Sequence, residues 1–385
     1  MRRMAFALLC TIAAQALAQP DFSDFLVLET RLGSEAFDAE HDAQRDLVYV
    51  SLPAFDQIVV VSAITGRLLD VVYAGDEPMG IDISSDGQFL FIALAGEGAV
   101  ARLNLDTYDR TERSIRAALG DRAAYDLIEA QPWRVFINGY RDGTSARVAQ
   151  YNVLTNTVSF AANGQYFRGA PRFIEDPTHE YLYVGEGFSP NSLYKIDLSV
   201  ASAPVIREDQ HGSVNGTQRA AVSHDGELIY LSRGQVLDAD TFEEVDYLVD
   251  MDGYLIRGIS AMSEDGQYFY NVDNNEIKIF DTTTRTQIDQ MVFGPPAVVT
   301  EFKLLEQDMG MLRLSDRHLH LLVPSICSYD LVVDNQINIF DIAEFIRLYS
   351  LNDPGADLNQ DGQINYFDAL MLMRAYATNC DSGTP

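Results

Sequence analysis

Between Phe25 and Pro324 the chain repeats one unit seven times, and this repeat limits its fold more than any other feature. Each unit reads strand, turn, strand, turn, strand, with apolar and polar residues alternating and almost no helical periodicity. The second strand is the clearest. Leu47-Val-Tyr49-Val, Phe89-Leu-Phe91-Ile, Arg134-Val-Phe136-Ile, Tyr181-Leu-Tyr183-Val, Leu228-Ile-Tyr230-Leu, Tyr268-Phe-Tyr270-Asn and Gly310-Met-Leu312-Arg align. Their centres at 49, 91, 136, 183, 230, 270 and 312 are spaced by 42, 45, 47, 47, 40 and 42 residues. A sheet this small cannot bury both faces until neighbours stack on it, and a strand-built repeat of about 40 to 45 residues has the length of a propeller blade. Seven copies predict an all-β, seven-bladed propeller over residues 19–325.

Turn chemistry agrees with this reading. Ser85-Asp86-Gly87, His224-Asp225-Gly226 and Glu264-Asp265-Gly266 precede their anchor strands, and Asp-Gly supplies the positive φ that a tight hairpin needs. After the seventh anchor only His318 to Val323 remains, so the last blade lacks an outer strand. Phe25 to Arg31 is a spare strand at the other end of the repeats. Closing the ring with it removes exposed sheet edges, so the first and last segments are expected to pair.

The two ends read differently. Arg2 and Arg3 precede an apolar run from Met4 to Ala14 that ends in Ala16-Leu17-Ala18, the pattern of a secretory signal over residues 1–18. The run is too short for a permanent span, and no later stretch is long enough either. Removing Arg2 and Arg3 leaves 25 basic against 57 acidic residues, which moves the net charge from −30 to −32. Such a field repels phosphate backbones and anionic lipid, so nucleic acid is not an expected partner, and without a long apolar stretch no membrane span is expected. Cys327 and Cys380 are then the cysteines left, and in an oxidising compartment an even pair reads as one disulfide.

Near the C-terminus, Asp357-Leu-Asn359-Gln-Asp361-Gly362-Gln363-Ile364-Asn365-Tyr-Phe-Asp368 places oxygen ligands at loop positions 1, 3, 5 and 12, Gly at 6 and an apolar residue at 8. Calcium is a hard cation wanting six or more oxygens, which the side chains of Asp357, Asn359, Asp361 and Asp368 and the carbonyl of Gln363 would supply. A second copy lies 27 residues earlier, with Asp330, Asp334, the carbonyl of Gln336 and Asp341 in the matching positions. It is degenerate: Val332 offers no oxygen at position 3, and Asn335 replaces the glycine. Each loop runs into an apolar helix, expected over Ile342 to Tyr349 and Ala369 to Ala375.

Two resemblances follow. Leu47-Val-Tyr-Val-Ser51, Asp56-Gln-Ile-Val-Val-Val-Ser62, Thr65-Gly-Arg67, Glu77-Pro-Met-Gly80 and Ser85-Asp-Gly87 are similar to the Tyr-Val-Thr-Asn repeat of bacterial extracytoplasmic propellers. That family includes surface-layer proteins, lactonases, lyases and redox-enzyme subunits, so it implies a fold rather than an activity. Asp at position 12, one helix per loop, the duplication and the flanking Cys327 and Cys380 resemble a dockerin module, here over residues 326–381 with a tail at 382–385. Dockerin resemblance implies a small α-helical, EF-hand-like unit that binds calcium and docks to a cohesin-like receptor or other surface protein, often on a polysaccharide-degrading complex. A bridge between Cys327 and Cys380 would add about 4 kcal/mol in the chain-entropy picture.

The remaining candidates are weaker. His318 and His320 share a strand face but have no third ligand near in sequence, while His41, His179 and His224 fall at or near turns and His211 in a polar loop. Trp133, Tyr49, Phe91, Tyr183 and Tyr230 recur at blade spacing, as packing between blades requires. No haem-attachment or phosphate-loop spacing occurs. The expected function is that of a secreted binding or scaffold protein, at the cell surface or beyond it, with the periplasm as the alternative location. Its propeller takes a protein or glycan ligand and its tail is anchored through calcium. The competing expectation is a propeller enzyme, a lactonase, lyase or glycan-cleaving hydrolase, whose catalytic residues would converge on the central pore from several blades.

Overall fold

The structure is a computed structural model that describes residues 25–120, 122–140, 145–187, 191–209, 216–263, 265–292, 298–305, 310–315, 317–324, 331–332, 337, 339–358 and 363–377. The leader, both cysteines Cys327 and Cys380, His211, and the loop positions Asp330, Asp334, Gln336, Asn359 and Asp361 lie outside these residues.

Seven four-stranded antiparallel sheets form the blades of a propeller, six of them built from consecutive strands. The seventh takes Phe25–Arg31 as its outer strand, antiparallel to His318–Pro324, with Phe25 opposite Pro324 and Arg31 opposite His318. The ring is therefore closed by hydrogen bonds between distant parts of the chain, as expected. Beyond the ladder, the Leu32 amide donates to the Arg317 carbonyl at 2.7 Å, and the Thr30 hydroxyl donates to the Gly66 carbonyl of the first blade.

The anchor residues show why the repeat has its period. Tyr49, Phe91, Phe136, Tyr183 and Leu312 are fully buried, and Tyr230 and Tyr270 nearly so. Each points forward into the next blade. Tyr49 packs with Leu90 and Ile92 of the second blade, Phe136 with Leu182 and Val184 of the fourth, and Tyr230 with Phe269 of the sixth. Leu312 of the seventh joins Val48 and Val50 of the first, so the last interface has the same apolar composition as the others. The aromatics at blade spacing are packing residues. Trp133 is partly buried between the second and third blades, its ring edge-on to Phe89 at 6.5 Å.

Three turns share one device. The hydroxyls of Ser84, Ser223 and Ser263 donate to Asp86, Asp225 and Asp265 and accept the amides of Phe89, Leu228 and Tyr268. Gly87, Gly226 and Gly266 follow with φ of 67°, 74° and 71°. The sequence reading found the Asp-Gly pairs; the serine two residues earlier completes them.

One short helix, Arg116–Leu119, interrupts the propeller and buries Ala118 and Leu119 between the second and third blades. Beyond the propeller, the helices Ile339–Ser350 and Tyr366–Ala377 begin three residues earlier than expected, which places Asp341 and Asp368 in their first turns. Their core contains Leu331 and Leu358, Ile337 and Ile364, Ile342 and Ala369, and Phe345 and Leu372, pairs that all differ by the 27-residue offset of the duplication. Phe340 and Phe367, which share the same offset, stay outside this core. Asp341 and Asp368 turn inward and are fully buried, and the residue before each points about 100° around the helix. Phe340 is 64 % exposed, whereas Phe367 packs with Leu370 and Met371 against Ile64 of the first blade. Beside it the Tyr366 hydroxyl donates to Asp46 at 3.3 Å.

Candidate functional site in the central channel

The innermost strands Ala39–Asp42, Pro78–Ile83, Ala123–Gln131, Arg172–Glu175, Ala221–Val222, Ile259–Met262 and Val299–Leu304 surround a channel cavity of about 430 Å³. Strand alternation sends every second residue toward the axis. Asp38, Glu40, Asp82, Asp126, Glu175 and Glu301 line this cavity together with Arg172, Arg219 and Lys303. The channel is thus a concentration of acids with fewer cations.

Several of these acids tie one blade to the next. Asp38 accepts the Ile81 amide at 3.0 Å, Asp82 the Glu129 amide at 2.5 Å, and Asp126 the Phe173 amide at 3.1 Å. Glu129 returns a bond by accepting the Ser85 amide at 2.5 Å. Arg172 pairs with Asp126 at 3.2 Å, and its guanidinium lies 4.4 Å from the centre of the Phe37 ring. Arg219 reaches across the sixth blade to Glu301 at 2.9 Å. Lys303 lies 3.3 Å from Asp38 and also pairs with Glu40, which joins the seventh inner strand to the first.

Glu40, Asp82 and Glu175 all feel the charge of Lys303, which pairs directly with Glu40. These side chains line the cavity while protein crowds them on every side; Glu175 is exposed yet enclosed by the ring. Enclosure is the main cause that raises all three carboxyls, with Lys303 opposing it. Asp82 moves up to about 7. The Lys303 ammonium is held well above its ordinary value because Asp38, Glu40 and Glu301 outweigh its burial. Near neutral pH the channel therefore combines a lasting cation, Lys303, with one carboxyl, Asp82, that exchanges its proton, an arrangement suited to polar recognition or acid–base chemistry.

The tail is the second candidate. Among the described loop positions, Asp368 accepts the Leu358 amide at 2.7 Å on one oxygen and the Asn365 amide at 2.7 Å on the other. Asp341 accepts the Val332 amide at 3.0 Å in the first copy. The position-12 carboxylate is thereby drawn back to the start of its own loop in both copies. Asp357 caps the 3₁₀ turn Pro354–Ala356, and Gln363 is exposed just beyond the undescribed segment. Among the described residues no three His, Cys, Asp or Glu side chains come together as a metal site.

The histidines gather no such group either. The rings of His318 and His320 are 6.1 Å apart beside Glu29, with Arg313 3.3 Å from His320 Nδ1, and burial chiefly lowers the His320 pKa. Sequence reasoning missed the channel acids and cations. Their signal was present as charged residues two apart on innermost strands, Asp38 with Glu40 and Glu301 with Lys303, where alternation calls for one apolar face. The chain is thus a seven-bladed propeller with an ionic channel. No protein-family model matches it, and no curated protein matches its sequence.

Proposed function

We propose that this is a secreted binding propeller of the Tyr-Val-Thr-Asn-repeat type, held to a cohesin-like surface partner by a calcium-loaded, dockerin-like tail. The observation that carries the reading is the internal two-fold pattern of the tail. Asp341 and Asp368 are both fully buried, both close their loops onto backbone amides, and both lie over a core whose members pair at the same offset. A duplicated loop–helix unit of this kind suits calcium, whose binding free energy becomes folding free energy of a small module. Asp357, Asn359, Asp361, Gln363 and Asp368 would hold the stronger ion, and Asp330, Asp334, Gln336 and Asp341 the weaker. Calorimetric titration of the metal-free full chain with calcium tests this, together with capture of a cohesin domain in calcium and in chelator. Saturable calcium binding and chelator-sensitive capture are expected; no heat at millimolar calcium would remove the mechanism.

A second reading is favoured by one observation in the channel: Asp82 titrates near 7 within reach of the Lys303 field. A general acid–base in that range beside a fixed cation fits a lactonase, lyase or glycan-cleaving hydrolase. Turnover of a lactone or polyuronate by the wild type, lost in Asp82→Asn, would move the propeller from binding to catalysis.

A further inference from the structure

A smaller cavity of about 300 Å³ opens beside the channel, walled by the fourth, fifth and sixth blades. Its charge is opposite to that of its surroundings. In a chain of net charge −30 it brings together the side chains of Arg219, Arg233 and Arg257. The one acid among its described lining residues, Glu186, is 2 % exposed and already accepts the Arg168 amide at 2.8 Å, the Ser192 amide at 3.3 Å and the Tyr194 hydroxyl at 3.1 Å. Arg219 has one guanidinium nitrogen on Glu301, at 2.9 Å, while Arg233 and Arg257 make no hydrogen bond or ion pair among the described residues. Three arginines and Glu186 give the described lining residues a formal charge of +2.

The floor is open backbone. At Gly258 (φ +127°) an added Cβ would lie 1.9 Å from the Val272 carbonyl oxygen, and at Gly216 (φ +84°) 2.5 Å from Ser232 Oγ. Close packing of the wall therefore requires glycine at both positions, and backbone forms that part of the lining. Guanidinium forks match the planar oxygens of carboxylate and the paired oxygens of phosphate or sulfate, and a water-exposed fork that spends no bond on the protein keeps its donors for a ligand. The volume lies at the lower end of the range for small-molecule sites, more than a bare ion fills.

From these features we infer that this cavity is an oxyanion-recognition site, taking the carboxylate, sulfate or phosphate group of a small ligand on Arg219, Arg233 and Arg257. It lies apart from the calcium loops and adjoins the acidic channel, with which it shares Arg219, and it holds whether the propeller binds or catalyses. Glu301 competes for Arg219, so the site is tuned by the channel acid next to it.

The test is calorimetric titration of the full chain with inorganic phosphate and, separately, galacturonate, at constant ionic strength in chloride. Saturable one-to-one binding of at least one of them is expected, and which one binds identifies the oxyanion class. Arg233→Gln and Arg257→Gln together should weaken binding about tenfold or more, as loss of charge-assisted bonds does. Both residues are exposed, so an unchanged melting temperature should accompany the loss. Glu301→Gln should tighten binding by freeing Arg219. Absence of saturable binding by the wild type, equal binding by the double variant, or weaker binding in Glu301→Gln would each overturn the assignment.

Discussion

Replacing Asp82 with Asn should make the propeller more stable, and more so as pH rises. Asp82 is raised from an ordinary 3.8 to about 7, mainly by enclosure in the channel and further by Glu175. Between those values the folded chain keeps a proton that the unfolded chain has released. Stability is thus complete below pH 3.8 and is lost as pH climbs through the window toward 7. About three pH units at about 1.4 kcal/mol each give a penalty of about 4 kcal/mol by about pH 8. Asparagine cannot ionise, and its carbonyl can still accept the Glu129 amide that Asp82 accepts at 2.5 Å. Urea unfolding of wild type and variant, compared at about pH 4 and about pH 8 with unchanged slopes, reads the difference directly. The two should coincide at low pH, and the variant should lead by about 2 to 4 kcal/mol at high pH, the lower figure allowing for screening by channel water. Groups outside the channel cancel in the comparison, while Glu40, which the Asp82 charge raises, titrates more easily in the variant. A pH-independent difference, or a variant weaker at high pH, would refute the account of the channel.

Deleting residues 19–31 should leave His318–Pro324 as an open edge and give aggregation or a large drop in melting temperature; a soluble deletion variant with unchanged melting would sink the closure argument. The denatured, unreduced mature protein should contain no free thiol, and two reactive thiols per chain by titration would reject the bridge between Cys327 and Cys380. Asp361→Ala should abolish the tighter calcium site and Asp334→Ala should matter less, so two equally tight sites by calorimetry would overturn the reading of Val332. Chelation should loosen the tail while emission from Trp133, the single tryptophan, stays that of a folded propeller.

The blade repeat was legible because burial imposes it. Every anchor from Tyr49 to Leu312 must fill the same gap against the next blade, so the same residue class recurs wherever the chain reaches that gap. The closing strand was legible for a related reason, since a blade short of one strand and a surplus strand at the other end leave few pairings. The duplicated tail could be read from its offset, although the outward turn of Phe340 and Phe367 could not. Two adjacent residues in a helix cannot both face one core, and the sequence does not say that the buried one is the aspartate.

The channel was illegible for the opposite reason. Asp38, Asp82 and Asp126 keep the blade period, 44 residues apart, but Glu40 on the first innermost strand, Glu175 on the fourth and Lys303 on the seventh follow no such spacing. The fold asks the innermost strands only for backbone pairing and a small cross-section, so the axis-facing positions are free to differ from blade to blade. They do differ. Asp38, Asp82 and Asp126 tie the first four blades with amide bonds, whereas the later blades carry Arg219, Glu301 and Lys303 and are joined by ion pairs. That asymmetry places acid on one wall and most of the cation on the other, with the arginine-lined cavity opening on the cationic side. In a ring whose packing residues are repeated by necessity, the residues that break the repeat are those under no packing demand. A ligand approaching this face therefore meets its chemical information in the departures from sevenfold symmetry, beginning with Arg219, which lines both cavities.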